Sequence, residues 1–164
     1  MTAPHTAQAQ WTSPIGPMLL TATPRGLSGL WFDAQRHHPG LIDAPVCPND
    51  PFIAQAIDEL DGYFAGRRAH FDVPLDLHGT PFQQAVWQAL LAIGRGATLS
   101  YGRIAHTLGR PAAVRAAGAA IGRNPVSVIV PCHRVVGHDG RLTGYAGGLD
   151  RKAALLALER HACA

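Results

Sequence analysis

The first third of the chain alternates short apolar runs with turn-forming residues. Trp11-Thr12-Ser13 and Met18-Leu19-Leu20 flank Pro14, Gly16 and Pro17, which predicts two short strands joined by a turn. Pro24-Arg25-Gly26 marks a second turn and 27–32 a third strand, so a small antiparallel meander is expected. Residues 1 to about 10 are expected to be loose, and 37–49, with Pro39, Pro45, Pro48 and Gly40, to be loop. The period then changes. Asp50 is an N-cap with Pro51 at the first helical position, and Phe52, Ile53, Ala56, Ile57, Leu60 and Phe64 fall at helical spacing before Gly66. Residues 71–77 alternate apolar and polar and predict an edge strand closing the sheet, with Pro74 confining it to the edge. His78-Gly79 is the expected boundary between an N-terminal α/β domain, 1–78, with a structural role, and a C-terminal domain, 79–164.

The second half reads as mostly helical. Thr80-Pro81-Phe82-Gln83 is a capping box, and Phe82, Val86, Leu90 and Ile93 make one apolar stripe that Gly94 and Gly96 end. Ser100 can cap a helix over 101–108, Gly109 stops it, and another helix is expected over 112–123. Two short helices across a tight glycine turn predict a helix-turn-helix. The second of them is nearly bare, with Ala112, Ala113, Ala116, Ala117, Gly118, Ala119 and Ala120, and with Arg115 and Arg123 projecting. Small residues allow either close helix packing or close approach of the backbone to a nucleic-acid groove, and the preceding turn motif favours the groove. Val128-Ile129-Val130 predicts a short buried strand that Pro131 stops. A last helix is expected from Asp150, with Leu149, Ala153, Leu156 and Ala157 facing the core and Glu159 near its end.

Composition narrows the classes. Of 164 residues, 47% are hydrophobic, enough for a packed core and against global disorder. The net charge of +3 admits a nucleic-acid partner. No basic run stands out, so a binding face must be assembled from scattered arginines. Cys47, Cys132 and Cys163 are far apart and odd in number, with no Cys-x-x-Cys, which suggests neither a disulfide framework nor a zinc site. No metal and no cofactor are expected. No signal peptide and no stretch of membrane-spanning length is visible, so a cytoplasmic protein without a membrane partner is expected, a setting that suits a lone reactive thiol.

The chemistry concentrates at Pro131-Cys132-His133-Arg134. A free thiol titrates near ~8.5 and reacts as the thiolate; an imidazole can take its proton and a guanidinium can stabilise the anion. On an extended chain, adjacent side chains face opposite ways. Cys132 and His133 can therefore cooperate only if the backbone turns after Pro131 or a water joins them. Arg134 can equally pair with a buried carboxylate. Pro131-Cys132-His133-Arg134-Val135, preceded by Asn124-Pro125 and followed by Gly144-Tyr145-Ala146-Gly147-Gly148, resembles the O6-alkylguanine-DNA alkyltransferases, or methylated-DNA–protein-cysteine methyltransferases. The resemblance covers most of 80–159. Before that it rests on Ser13-Pro14-Ile15-Gly16-Pro17 and the general layout.

The resemblance implies a two-domain α/β fold. A ribonuclease H-like N-terminal sheet with a helix would precede a mostly helical C-terminal domain with the helix-turn-helix. It implies direct-reversal DNA repair: irreversible, single-use transfer of an alkyl group from O6-alkylguanine in duplex DNA to Cys132. O4-alkylthymine is left open as a second substrate. The 112–123 helix would enter the minor groove, with Arg115 as the finger that fills the space of a flipped nucleotide and with Ala116, Gly118, Ala119 and Arg123 along the DNA. His133 would act as base through a water and Glu159 would orient it. Tyr101 would lie by the flipped nucleotide and protonate the leaving guanine, Asn124 would be the hinge to the active-site segment, and Val135, Tyr145 and Ala146 would line the guanine pocket. Ala146 stands where some members carry a serine that bonds the guanine oxygen, which leaves backbone and Tyr101 for that task. A monomer is expected, with cooperative assembly on DNA open. A non-catalytic lesion binder or helix-turn-helix regulator is the alternative, but lesion-sensing relatives lack the cysteine. A cysteine hydrolase would leave the Ala-rich helix unexplained.

Overall fold

The computed structural model describes residues 5–161. Its N-terminal part is a three-stranded antiparallel meander, β1 (Ala7–Ser13), β2 (Gly16–Thr23) and β3 (Gly26–Phe32), in the order β1-β2-β3. Helix α1 (Pro51–Phe64) packs on it through Ile53, Ala56, Leu60 and Tyr63. Asp50 caps α1 as expected, its carboxylate accepting from the amides of Phe52 and Ile53, and Gly66 turns out of the helix at φ 75°. Residues 5–10 are not loose. β1 starts at Ala7 opposite Ala22, and the Thr6 amide donates to the Ala22 carbonyl at 2.8 Å. The buried face there is Ala7 and Ala9, too small to register as a hydrophobic alternation. The first four residues of that stretch lie outside the described residues.

The free edge of β3 shows why the two halves form one structure. An unpaired edge leaves amides and carbonyls that need partners. At one end the Leu27 amide donates to the Pro74 carbonyl and the Leu27 carbonyl accepts from Asp76, a single parallel bridge between Leu27 and Leu75. The expected strand over 71–77 is reduced to this bridge, because Pro74 brings a carbonyl but no amide to the ladder. At the other end the Leu30 amide donates to Pro125 and its carbonyl accepts from Ser127, a bridge between Leu30 and Val126. The segment leading to Cys132 is thus hydrogen-bonded to the N-terminal sheet.

The C-terminal part holds α2 (Pro81–Leu91), β4 (Leu99–Ser100), α3 (Tyr101–Thr107), α4 (Val114–Gly122), β5 (Val135–Val136) and α5 (Leu149–Arg160). The Thr80/Gln83 capping box forms, Ser100 caps α3, and Gly109 reverses the chain at φ 71°. α4 begins two residues later than its alanine run, with no side-chain cap. It is fixed from behind by Trp87, whose indole Nε1 donates to the Ala120 carbonyl at 2.9 Å. The buried face of α5 is Lys152, Leu155, Leu156 and Glu159, while Leu149, Ala153 and Ala157 are exposed, contrary to the expected stripe. Two buried ionisable residues on the inner face conceal the period from a hydrophobicity reading. No helix among the described residues is long and apolar enough to cross a membrane.

Candidate active site

The chain between Asn124 and Val135 is coiled rather than extended. The Val130 amide donates to the Val126 carbonyl and the Ile129 amide to Ser127, with Val128 fully buried at φ 73°. A β-branched residue in the left-handed region costs on the order of 1–3 kcal/mol, which the surrounding contacts must offset. The strand expected at 128–130 is therefore a tight turn. A buried apolar run carries no period, so its composition could not separate the two. After Pro131 the chain makes a single 3-10 turn, Cys132–Arg134, before β5 pairs in parallel with β4. The backbone therefore turns after Pro131, and the sulfur and the imidazole engage different partners, Asn124 and Glu159.

Cys132 is 5% exposed. Asn124 Nδ2 donates to its Sγ at 3.1 Å and to the Val130 carbonyl at 2.8 Å, while Asn124 Oδ1 accepts from the Val126 amide. One amide side chain thus fixes both the turn and the sulfur. Burial pushes the Cys132 thiol up, and the Asn124 hydrogen bond and the Lys152 charge oppose that shift. The thiol is protonated at rest and needs a base when it reacts.

The next residue is an imidazole with a fixed tautomer. His133 is fully buried, and its Nε2 lies 3.0 Å from both carboxylate oxygens of Glu159. Glu159 also accepts from Arg134 Nε at 2.9 Å and Nη2 at 2.7 Å, and from the Tyr63 hydroxyl at 2.9 Å. Despite its burial, these donors hold the Glu159 carboxyl down to about 2. An ionised carboxylate only accepts, so the ring proton sits on Nε2. Burial outweighs the Glu159 attraction and lowers the His133 pKa, so the ring is neutral near pH 7. Its Nδ1 is then a lone-pair acceptor, and it has no hydrogen-bond partner among the described residues. Arg134 also donates to the Ile93 carbonyl and so takes the carboxylate alternative rather than the sulfur.

A cleft of about 330 Å³ opens over Cys132. Tyr101, Gly118, Ala119, Arg123, Tyr145 and Ala146, all singled out in the sequence, line it. Arg115 and Ala116 are exposed on α4 outside this lining, and Val135 is fully buried in β5 behind it. Among the described residues no cluster of three or more His, Cys, Asp or Glu side chains is arranged to hold a metal ion.

Comparisons match this geometry to known proteins. Residues 81–161 match the DNA-binding domain of 6-O-methylguanine DNA methyltransferases, and residues 9–77 match the ribonuclease-like domain of the same proteins. A methylated-DNA–protein-cysteine methyltransferase from Mycobacterium leprae is 50% identical over 149 residues, 91% of this chain and 89% of the relative. One from Methanosarcina acetivorans is 48% identical over 151 residues, 92% of this chain and 96% of the relative. The crystal structure of Mycobacterium tuberculosis OGT in complex with DNA superposes with a TM-score of 0.88 at 47% identity, covering 94% of this chain and 93% of that one. The chain belongs to the 6-O-methylguanine DNA methyltransferase family.

Three features near Cys132 and His133 were not singled out in the sequence: a lysine, a tyrosine and a loop. Lys152 is fully buried, and its Nζ donates to the carbonyls of Val135 at 2.5 Å and Gly144 at 2.9 Å, joining the active-site strand to the loop over the cleft. Tyr63 reaches Glu159 from α1, ninety-six residues away in sequence. Arg36 and His37 bring the loop after β3 to the cleft. A lysine at helical spacing from Leu155, Leu156 and Glu159 was the available signal for the first. Nothing local marks the other two.

Proposed function

We propose that Cys132 accepts the alkyl group from O6 of a guanine swung out of duplex DNA into the cleft, in one displacement, once per protein molecule. The family's activity is direct-reversal DNA repair by alkyl transfer from DNA to a cysteine, with DNA as the partner. The observation that carries the assignment to Cys132 is a nearly buried sulfur lining the cleft, next in the chain to a neutral imidazole oriented by a carboxylate.

The step balances within the chain and the DNA. The sulfur–carbon bond forms as the carbon–O6 bond breaks. The thiol proton passes through a water to His133 Nδ1, and the guanine takes a proton from the Tyr101 hydroxyl. Glu159 stabilises the imidazolium that forms. A thioether is not readily hydrolysed, so the protein is consumed. The exposed Ala116 and Ala119 and half-buried Gly118 of α4 suit close approach to the minor groove, with Arg115 filling the gap in the base stack. Backbone amides at the cleft and the Tyr101 hydroxyl serve the guanine oxygen, since Ala146 brings no hydroxyl. We further propose that the chain divides functionally at 78–79, acts as a monomer, and works in the cytoplasm.

Cys132→Ser tests the assignment. Transfer from a duplex carrying O6-methylguanine should vanish while affinity for that duplex stays within about threefold. Persistent removal of the methyl group by the variant would overturn the role of Cys132.

A further inference from the structure

The rim of the cleft that α3 and α4 do not build belongs to the N-terminal half. Arg36 and His37, in the loop after β3, face the cleft together with Arg123 at the end of α4. All three are exposed, and the cleft lining contains no carboxylate. Among the described residues neither guanidinium has a hydrogen-bond or ion-pair partner. His37 is close enough to both arginines that, after loss of solvent, their charges are what lower its pKa. Two guanidiniums and an imidazole are thus gathered at one cleft with no carboxylate to balance them.

They are held there firmly. Gln35 is buried, its Oε1 accepting from the Phe32 amide at 2.8 Å and the Ser127 hydroxyl at 3.3 Å, and its Nε2 donating to the Arg36 carbonyl at 3.3 Å. The Arg36 amide donates to the Ala146 carbonyl at 2.9 Å. Ala34 and His37 sit at φ 59° and 62° on either side, a conformation that persists only where its surroundings impose it. The loop is tied on one side to the segment before Cys132 and on the other to the loop over the cleft.

A nucleotide extruded with its base in the cleft, as proposed above, would leave its flanking phosphates near the cleft mouth. From this arrangement we infer that Arg36, His37 and Arg123 form a phosphate grip that holds the backbone flanking the flipped nucleotide, so that the N-terminal half contacts DNA directly. Guanidinium groups bind phosphate oxygens through paired N–H donors, a neutral imidazole can donate one N–H, and two cations without a counter-charge favour the entry of an anion. The inference rests on the proposed entry of the base into this cleft.

Two substrates separate the grip from the pocket. Arg36→Ala and the double variant with His37→Ala are compared with the unaltered full chain on an O6-methylguanine duplex over a range of salt concentrations, and on the free O6-methylguanine base, which has no phosphates. Duplex affinity should fall roughly tenfold, and the slope of log affinity against log salt should drop by about one for each phosphate that is no longer neutralised. Transfer from the free base should stay within about twofold, and Arg36→Lys should recover most of the duplex affinity. Unchanged duplex affinity and slope, or equal losses on duplex and free base, would overturn the grip. Absence of transfer by the unaltered chain would instead strike at the alkyl-transfer reading, and the salt slopes of binding would still decide the grip.

Discussion

At the scale of single residues, a buried thiol and a buried neutral imidazole are adjacent in the chain and held by separate partners. Burial keeps Cys132 protonated, and Asn124 and Lys152 limit how far its pKa rises. Lys152→Met removes the nearby cation and the ammonium donor to the buried Val135 carbonyl, at about 1–3 kcal/mol. The expected outcome is a shift of Cys132 alkylation by a small electrophile toward higher pH, with slower repair. An unchanged pH profile would show that Lys152 serves structure alone. The motif Pro131-Cys132-His133-Arg134 was legible because its chemistry is local. Lys152 was not, because a lysine on a helix reads as solvated until its neighbours are known.

At the scale of elements, capping chemistry was the most legible signal. Asp50, Thr80 with Gln83, and Ser100 each start the helix expected of them. Elements whose faces are decided by tertiary contacts were harder to read. The 126–130 turn looked like a strand because it is buried on all sides, and α5 hid its inner face behind Lys152 and Glu159. α4 is held by its buried Ala117, Ala120 and Ile121 and by the Trp87 indole. Trp87→Phe removes the indole donor and leaves the Ala120 carbonyl with the Arg123 amide alone, at 3.2 Å, which should cost about 1 kcal/mol in chemical denaturation. A loss of DNA affinity should accompany it, since Trp87 is itself buried and acts through α4. Full stability in this variant would mean that other contacts set the helix.

At the scale of the whole molecule, Glu159 ties α1, the 3-10 turn and α5 into one network, and the β3 edge ties the sheet to the segment before Cys132. This dependence of one half on the other was not legible, because Tyr63 and Glu159 are far apart in sequence. The network also sets an acid limit. The Glu159 pKa lies below its usual 4.5, at about 2, so its contribution to stability is complete above about 4.5 and is lost as pH falls toward 2. His133 also titrates lower in the folded state, so its contribution is present above 6.5 and is lost as pH falls from there toward its folded value. Unfolding free energy should therefore decline below about pH 6.5 and more steeply below 4.5. Glu159→Gln should give a protein about 3–5 kcal/mol less stable near neutrality, with a shallower acid limb. A flat profile between pH 7 and 3 would contradict this reading of the network.

Alkyl transfer to Cys132 is tested most directly by intact-protein mass after mixing with a duplex that carries one O6-methylguanine, followed by mapping of the modified peptide. The expected result is the gain of one methyl group, on Cys132, saturating at one equivalent and not reversed on standing. No gain while the lesion duplex is still bound tightly would contradict it, and would make the chain a sensor of alkylated DNA whose buried thiol is never activated.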